Sequence, residues 1–318
     1  MTQLLKAISP IPIAFGGAAV SGEGGGYGFG SIGEGEAISL LQQAFERGLR
    51  IFDSAPIYGY GLSEKRIGKA FKQNREEVFL VSKSGVDWHP NKRVNRCNDA
   101  AVTQKMLEQS LRDLDSDYID LYMVHWPDEK VDIRVPMEVL AKAKLEGKIK
   151  HIGLCNTNTS DLEKAFEVDR IEVAQSQFHL LYREPQKNLF KFLNDNKMSF
   201  MSWGTLDKGV LTKRVDKKRE QSKEYDDCDA RRSAPWWNQK EILEKVAVLE
   251  SVWPVIESHG HSGLELAIAH NLSHPECTVA LVGARNPGQL EGLFKALENL
   301  PSDEIVKEVM REIGEYGA

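Results

Sequence analysis

The feature that most limits what this chain can fold into is an alternation. Eight short apolar runs, at 12–17, 51–53, 78–82, 119–124, 149–154, 172–178, 198–204 and 278–282, are separated by stretches of helical pattern. Helical spacing is clear at Ile38, Leu41 and Ala44 within 34–47, and at Ile67, Ala70 and Phe71 after Ser63. It recurs at Ile305, Val309 and Ile313 beyond Pro301, and further helices are expected over 100–114, 136–146, 239–258 and 262–271. Strands rich in Val, Ile and Leu are buried on both faces, which points to a parallel sheet covered by helices. The 318 residues accommodate a (β/α)8 TIM barrel of about 250 residues plus insertions, as a single α/β domain spanning 1–318. A doubly wound open sheet is the rival, and it would carry a glycine fingerprint early. Within 22–30 the alternating glycines do not complete G-x-G-x-x-G, and no Lys-Ser/Thr follows for a phosphate loop.

Chemistry collects where the runs end. The second run stops at Asp53, with Tyr58 five residues on, between Pro56-Ile57 and Gly59-Tyr60-Gly61. The third stops at Lys83 and the fourth at His125, before Trp126-Pro127-Asp128. Taken alone, Asp53 reads equally well as a structural carboxylate and Tyr58 as a loop residue. An acid, a base and an imidazole at three successive strand ends are harder to assign to packing. The C-terminal strand ends are where barrels gather catalytic groups.

These segments resemble the aldo-keto reductases over essentially the whole chain. FDSAPIYG, GLSEKRIGKAF, VSKSG and VHWPD match four separated motifs of that family in order, and put Asp53, Tyr58, Lys83 and His125 on its catalytic tetrad. The resemblance implies NADPH or NADP+ as cofactor. Its implied contacts are Gly17, Asn156, Gln175, Trp203, Gly204, Leu206, Lys208, Gly283, Arg285 and Gln289. Trp203 takes the place of the aromatic that stacks on the nicotinamide, and Arg285 and Gln289 match the segment that binds the 2′-phosphate and adenine. Four positions depart from the family: Gly17-Ala18 for Thr-Trp, Cys155 for Ser, and Leu293 for Asn. The pocket is expected to include Ala18, Trp88 and Trp126, with Tyr27 and Phe29 as further contacts from a mouth loop. Mouth loops are expected at about 18–34, 85–99 and 205–238, the last folding over the cofactor.

The activity so implied is reduction of an aldehyde or ketone by hydride transfer, with Tyr58 as proton donor. A free phenol has a pKa of about 10. Lys83 is expected to lower it, Asp53 to hold Lys83 charged, and His125 to hydrogen-bond the carbonyl oxygen. A cofactor-binding regulatory subunit with the same fold is the alternative. A metal-dependent barrel hydrolase would need clustered His and carboxylates, and only His125 and Asp53 qualify. His179 and the pair His259 and His261 read as structural, so no metal is expected. Four scattered cysteines, Cys97, Cys155, Cys228 and Cys277, suit free thiols in a reducing compartment. The net charge of −6 and the lack of a basic cluster argue against nucleic acid as a partner. No run is apolar for the ~18 residues that span a membrane, and no signal-peptide pattern opens the chain, so the expectation is a cytoplasmic protein with a small-molecule carbonyl substrate.

Overall fold

In a computed structural model, which describes residues 4–22 and 26–317, the eight runs form parallel strands that close into a barrel. The chain lays down β1 (Ile13–Gly16), β2 (Ile51–Asp53) and β3 (Phe79–Ser84), then β4 (Val86–Trp88) and β5 (Val94–Arg96). It continues with β6 (Ile119–Val124), β7 (Ile149–Cys155), β8 (Val173–Gln177), β9 (Ser199–Trp203) and β10 (Cys277–Val282). Around the barrel the order is β1-β10-β9-β8-β7-β6-β3-β2. Closure leaves no open edge, so the doubly wound sheet is excluded.

Residues alternate along each strand between two cores. Ile51, Val81, Leu121, Met123, Val173, Met201 and Val279 fill the barrel interior, and Leu5 from helix α1 (Leu4–Ile8) joins them. Their neighbours Phe52, Leu80, Tyr122, Val124, Ala174, Phe200 and Ala280 face the helices. Those helices include α2 (Glu34–Glu46), α3 (Leu62–Phe71), α4 (Ala100–Asp113) and α5 (Arg134–Leu145). They continue through α6 (Thr159–Phe166) and α7 (Leu189–Asp195).

Two expected loops carry structure of their own. The 85–99 loop contains the antiparallel hairpin β4–β5. The 205–238 segment contains a short helix, α8 (Lys217–Ser222), and packs Val210, Leu211, Val215 and Trp237 on α9 (Gln239–Ser258) and α10 (Gly263–Leu272). Buried Glu220 organises it, accepting from the Tyr225 hydroxyl at 2.8 Å and the Trp237 indole at 3.0 Å. The segment also reaches the glycine-rich loop, where the Ala230 amide donates to the Gly28 carbonyl at 2.9 Å.

The glycine reading needs a correction. Extended three residues, Gly28-Phe29-Gly30-Ser31-Ile32-Gly33 does spell G-x-G-x-x-G, and α2 follows at Glu34. The context is wrong for a dinucleotide turn, because β1 ends at Gly16 and among the described residues no regular strand runs into Gly28. Residues 23–25 of that loop lie outside the described residues. The chain ends in α11 (Pro287–Glu298) and α12 (Asp303–Ile313). No described helix is long and apolar enough to cross a membrane.

Candidate active site

The inward series of several strands turn from an apolar residue to a polar or amphipathic last member. Ile51 leads to Asp53, Phe79 and Val81 to Lys83, Leu121 and Met123 to His125, Val173 to Gln175, and Met201 to Trp203. Side chains two residues apart share a face of a strand, so closing the barrel brings these ends into one layer at its C-terminal mouth. Tyr58 joins from the turn after β2. That turn is wound by the Ala55 carbonyl accepting from the Tyr58 amide at 3.0 Å, and by Gly61, whose φ of 93° favours glycine.

Lys83 is completely buried. Its Nζ donates to both Asp53 oxygens at 2.7 Å and to the Ser54 carbonyl at 2.9 Å. The ammonium lies 5.6 Å from the centre of the Tyr58 ring, and the Tyr58 and His125 rings meet edge to face at 5.9 Å. Burial, followed by the Asp53 charge, pushes the Tyr58 phenol well above its ordinary value. This differs from the expected lowering by Lys83, and the geometry gives the reason. Both Asp53 oxygens hold the ammonium, so its field at the phenol is largely cancelled, and desolvation favours the neutral phenol. Burial, then Lys83 and Arg96, hold His125 well below 6.5, so its imidazole is neutral near pH 7.

A cavity of about 790 Å³ opens above this layer. Of the residues expected at the site, Asp53, Tyr58, His125, Asn156, Gln175, Trp203, Gly204, Leu206, Lys208, Gly283, Arg285 and Gln289 line it, as do Ala18, Tyr27, Phe29 and Trp126. The two amides are already engaged. Asn156, at a left-handed φ of 53°, donates to the His125 carbonyl at 2.9 Å and accepts from the Trp203 indole at 2.9 Å. Gln175 donates to Asp53 Oδ2 at 2.8 Å and accepts from the Cys155 thiol at 3.2 Å. Across the mouth, Asp207, Lys208 and Gly209 are three consecutive left-handed residues. Asp207 is held there by Lys245 at 2.6 Å, and the Lys208 carbonyl by Arg231 at 2.7 Å. Arg285 donates to the Ser31 carbonyl at 2.8 Å, while its Nε has no partner among the described residues.

Two expectations are corrected. Gly17 is not in the cavity wall, where Gly16, Ala18 and Ala19 stand instead. It faces α3, and a Cβ there would come within 2.5 Å of the Ser63 hydroxyl and 2.6 Å of the Asp53 carbonyl, so glycine serves close packing. Trp88 also lies outside the wall. The β4–β5 hairpin turns its ring onto Tyr60 at 5.3 Å, and presents Val86, Val94 and Arg96 to the cavity in its place. Arg96 went unnoticed in the sequence, as did Lys213, Arg214, Arg219 and Arg231 on the opposite wall. Their one signal was the density of Lys and Arg in two long polar loops, which exposed loops share. His179, expected to be structural, is buried and bonded to Gln177 at 2.9 Å.

Residues 12–313 match the model of the aldo/keto reductase family. The chain belongs to that family. An aldo-keto reductase of Bacillus subtilis, YhdN, is 32% identical over 85% of this chain and 81% of its own length. The NADH-specific methylglyoxal reductase of Escherichia coli is 27% identical over 87% of each. The solved structure of the glycerol dehydrogenase AKR11B4 from Gluconobacter oxydans superposes with a TM-score of 0.82, at 25% identity, over 96% of this chain and 92% of that one. As an aldo/keto reductase the chain is an oxidoreductase built on a (β/α)8 barrel. The residues present suit a nicotinamide dinucleotide. The cavity is of the size of a cofactor pocket, Lys208, Arg231 and Arg285 stand on one wall, and the unpartnered Arg285 Nε leaves a donor for an anion.

Proposed function

We propose that this aldo/keto reductase uses NADPH to reduce a small aldehyde or ketone to an alcohol, with Tyr58 as proton donor. The supporting observation is the buried Asp53–Lys83 pair beneath Tyr58, with His125 at the edge of the phenol ring. The nicotinamide, when bound, supplies the hydride. Trp203, Asn156, Gln175, Gly204, Leu206 and Gly283 would hold its ring end, and Lys208, Arg285 and Gln289 its phosphate and adenine end. Tyr58, kept neutral by burial, carries the proton for the carbonyl oxygen. His125 is neutral and donates a hydrogen bond to the same oxygen, orienting it and stabilising developing charge. Asp53 and Lys83 fix the floor on which the phenol rests. The names of the methylglyoxal reductase and glycerol dehydrogenase relatives favour small polar substrates.

The test is Tyr58→Phe. General acid catalysis typically contributes about 10²–10⁴-fold. The variant should lose at least about 100-fold in kcat on a good aldehyde, yet bind NADPH as the parent does, because the hydroxyl acts in the transition state. Near-full activity would remove Tyr58 from the mechanism. Tight NADPH binding by the parent with no turnover on a broad carbonyl panel would favour the regulatory-subunit reading.

A further inference from the structure

Arg96 stands apart from the other cations of the cavity by its position. It ends β5, lines the cavity, and holds its guanidinium carbon 4.5 Å from the centre of the Trp126 ring. Its guanidinium makes no hydrogen bond or ion pair with any described residue. Of the cations on the opposite wall, Lys208 faces Asp207, Lys213 pairs with Glu257, Arg231 with Asp229, Arg219 with the Arg214 carbonyl and Arg285 with the Ser31 carbonyl, while Arg214, like Arg96, has no side-chain partner among the described residues.

Its place in the barrel is also different. In the strand order β3 lies across from β9, and β6 across from β10. Lys208, Arg231 and Arg285 follow β9 and β10, whereas Arg96 follows β3 and sits on the residue next to His125. An indole face steadies a guanidinium while leaving its N–H edge free. That edge is a planar fork matched to an oxyanion.

We propose that Arg96 determines specificity: it receives a carboxylate or phosphate carried by the carbonyl substrate, whose carbonyl lies at Tyr58 and His125. The preferred substrates are thus aldehydes or ketones bearing an oxyanion. This rests on the reductase reading above, deepens it, and leaves the cations of the opposite wall to the cofactor.

Two matched pairs test the charge and separate its sources: 4-oxobutanoate against its methyl ester, and glyceraldehyde 3-phosphate against glyceraldehyde. In the parent, kcat/KM for the anionic member of at least one pair should exceed that of its neutral partner by about 10-fold or more, mainly through KM. The pair that shows the preference identifies carboxylate or phosphate. Arg96→Met should remove the advantage and leave both neutral substrates within about 2-fold, a margin that also reports an intact fold. Arg96→Lys should restore part of it, which a purely structural arginine would not require. Equal loss on charged and neutral members, or no charge preference in the parent, overturns the proposal while reduction itself stands. Quenching of tryptophan fluorescence by 4-hydroxybutanoate and by glycerol 3-phosphate needs no turnover. Quenching that Arg96→Met abolishes, in a protein that reduces nothing, would keep the anion site and reject the reductase. Quenching by neither compound together with no turnover would reject both.

Discussion

At the scale of single residues, the site depends on which charges are cancelled and which are left free. Lys83 is cancelled by Asp53, and that leaves Tyr58 a neutral phenol at the floor of the cavity. Proton donation needs the phenol protonated, and its raised pKa extends that state upward in pH. His125 must stay neutral, and its depressed pKa extends that state downward. Reduction should therefore run at constant kcat from about pH 6 to pH 9, through the ordinary His value of about 6.5 and up towards the ordinary Tyr value of about 10. A break near pH 6.5 that His125→Gln removes would show that His125 titrates there, against this assignment. Arg285 is only partly engaged, donating to the Ser31 carbonyl while its Nε has no partner among the described residues. A hydrogen bond to a charged group is worth about 1.5–3 kcal/mol, or roughly 10–150-fold in Kd. Arg285→Ala should weaken NADPH by that factor and NADH hardly at all, as read by fluorescence titration. Equal loss for both nucleotides would detach Arg285 from the 2′-phosphate. The NADH-specific relative makes this measurement the deciding one for cofactor choice.

At the scale of elements, the segment after β9 is a folded subunit of the mouth. Glu220 has no solvent exposure and takes donors from Tyr225 and Trp237, with Lys223 as its counter-charge. Leaving a buried donor unpaired costs about 1–3 kcal/mol. Glu220→Ala strips two donors of their acceptor, so residues 213–238 should exchange amide hydrogens far faster while the barrel strands keep their protection. Unchanged exchange there would mean the segment is held by its apolar contacts to α9 and α10 alone. The β4–β5 hairpin teaches a related lesson. Its residues Val94, Asn95 and Arg96 are exposed, so no alternating burial marked them as a strand, and only pairing with Val86–Trp88 made them one.

For the whole molecule, acid stability reflects groups buried in opposite states. Burial lowers His179 to about 4 and His270 to about 3. Both therefore contribute stability that is present above about pH 6.5 and is lost as pH falls toward those values. His179 faces Asp207, Lys208 and Lys245, and His270 faces Asn271 and His274, which modulate but do not reverse the sign. Burial raises Glu64 to about 7, and one of its oxygens has no partner. Its stability is full below about pH 4.5 and is lost as pH rises through 7, so acidification favours it. At about 1.4 kcal/mol per pKa unit each group is worth roughly 3 kcal/mol or more, and two histidines outweigh one glutamate. Thermal stability should fall from pH 6.5 to pH 4. Glu64→Gln, which imitates the protonated form, should be more stable than the parent at pH 8 and should lose more between pH 7 and pH 5. A parallel shift of both curves would show that Glu64 does not titrate in this range.

The barrel and the convergence of Asp53, Lys83 and His125 at one mouth were legible because each is written locally. Eight apolar runs of strand length can be buried on both faces only by closing or stacking a parallel sheet, and Asp53, Lys83 and His125 each follow directly on such a run. Period-two alternation then points all three inward, whatever the rest of the chain does. What the tertiary structure decided are the relations between distant segments. Asp53 cancels Lys83 across a gap of 30 residues, which reversed the expected effect on Tyr58. Gly17 serves the approach of α3, Trp88 turns to Tyr60, and Arg96 comes to rest on Trp126 at the cavity wall. Loop side chains carry no periodic burial signal, so their direction is set only when the barrel closes and brings their neighbours to them.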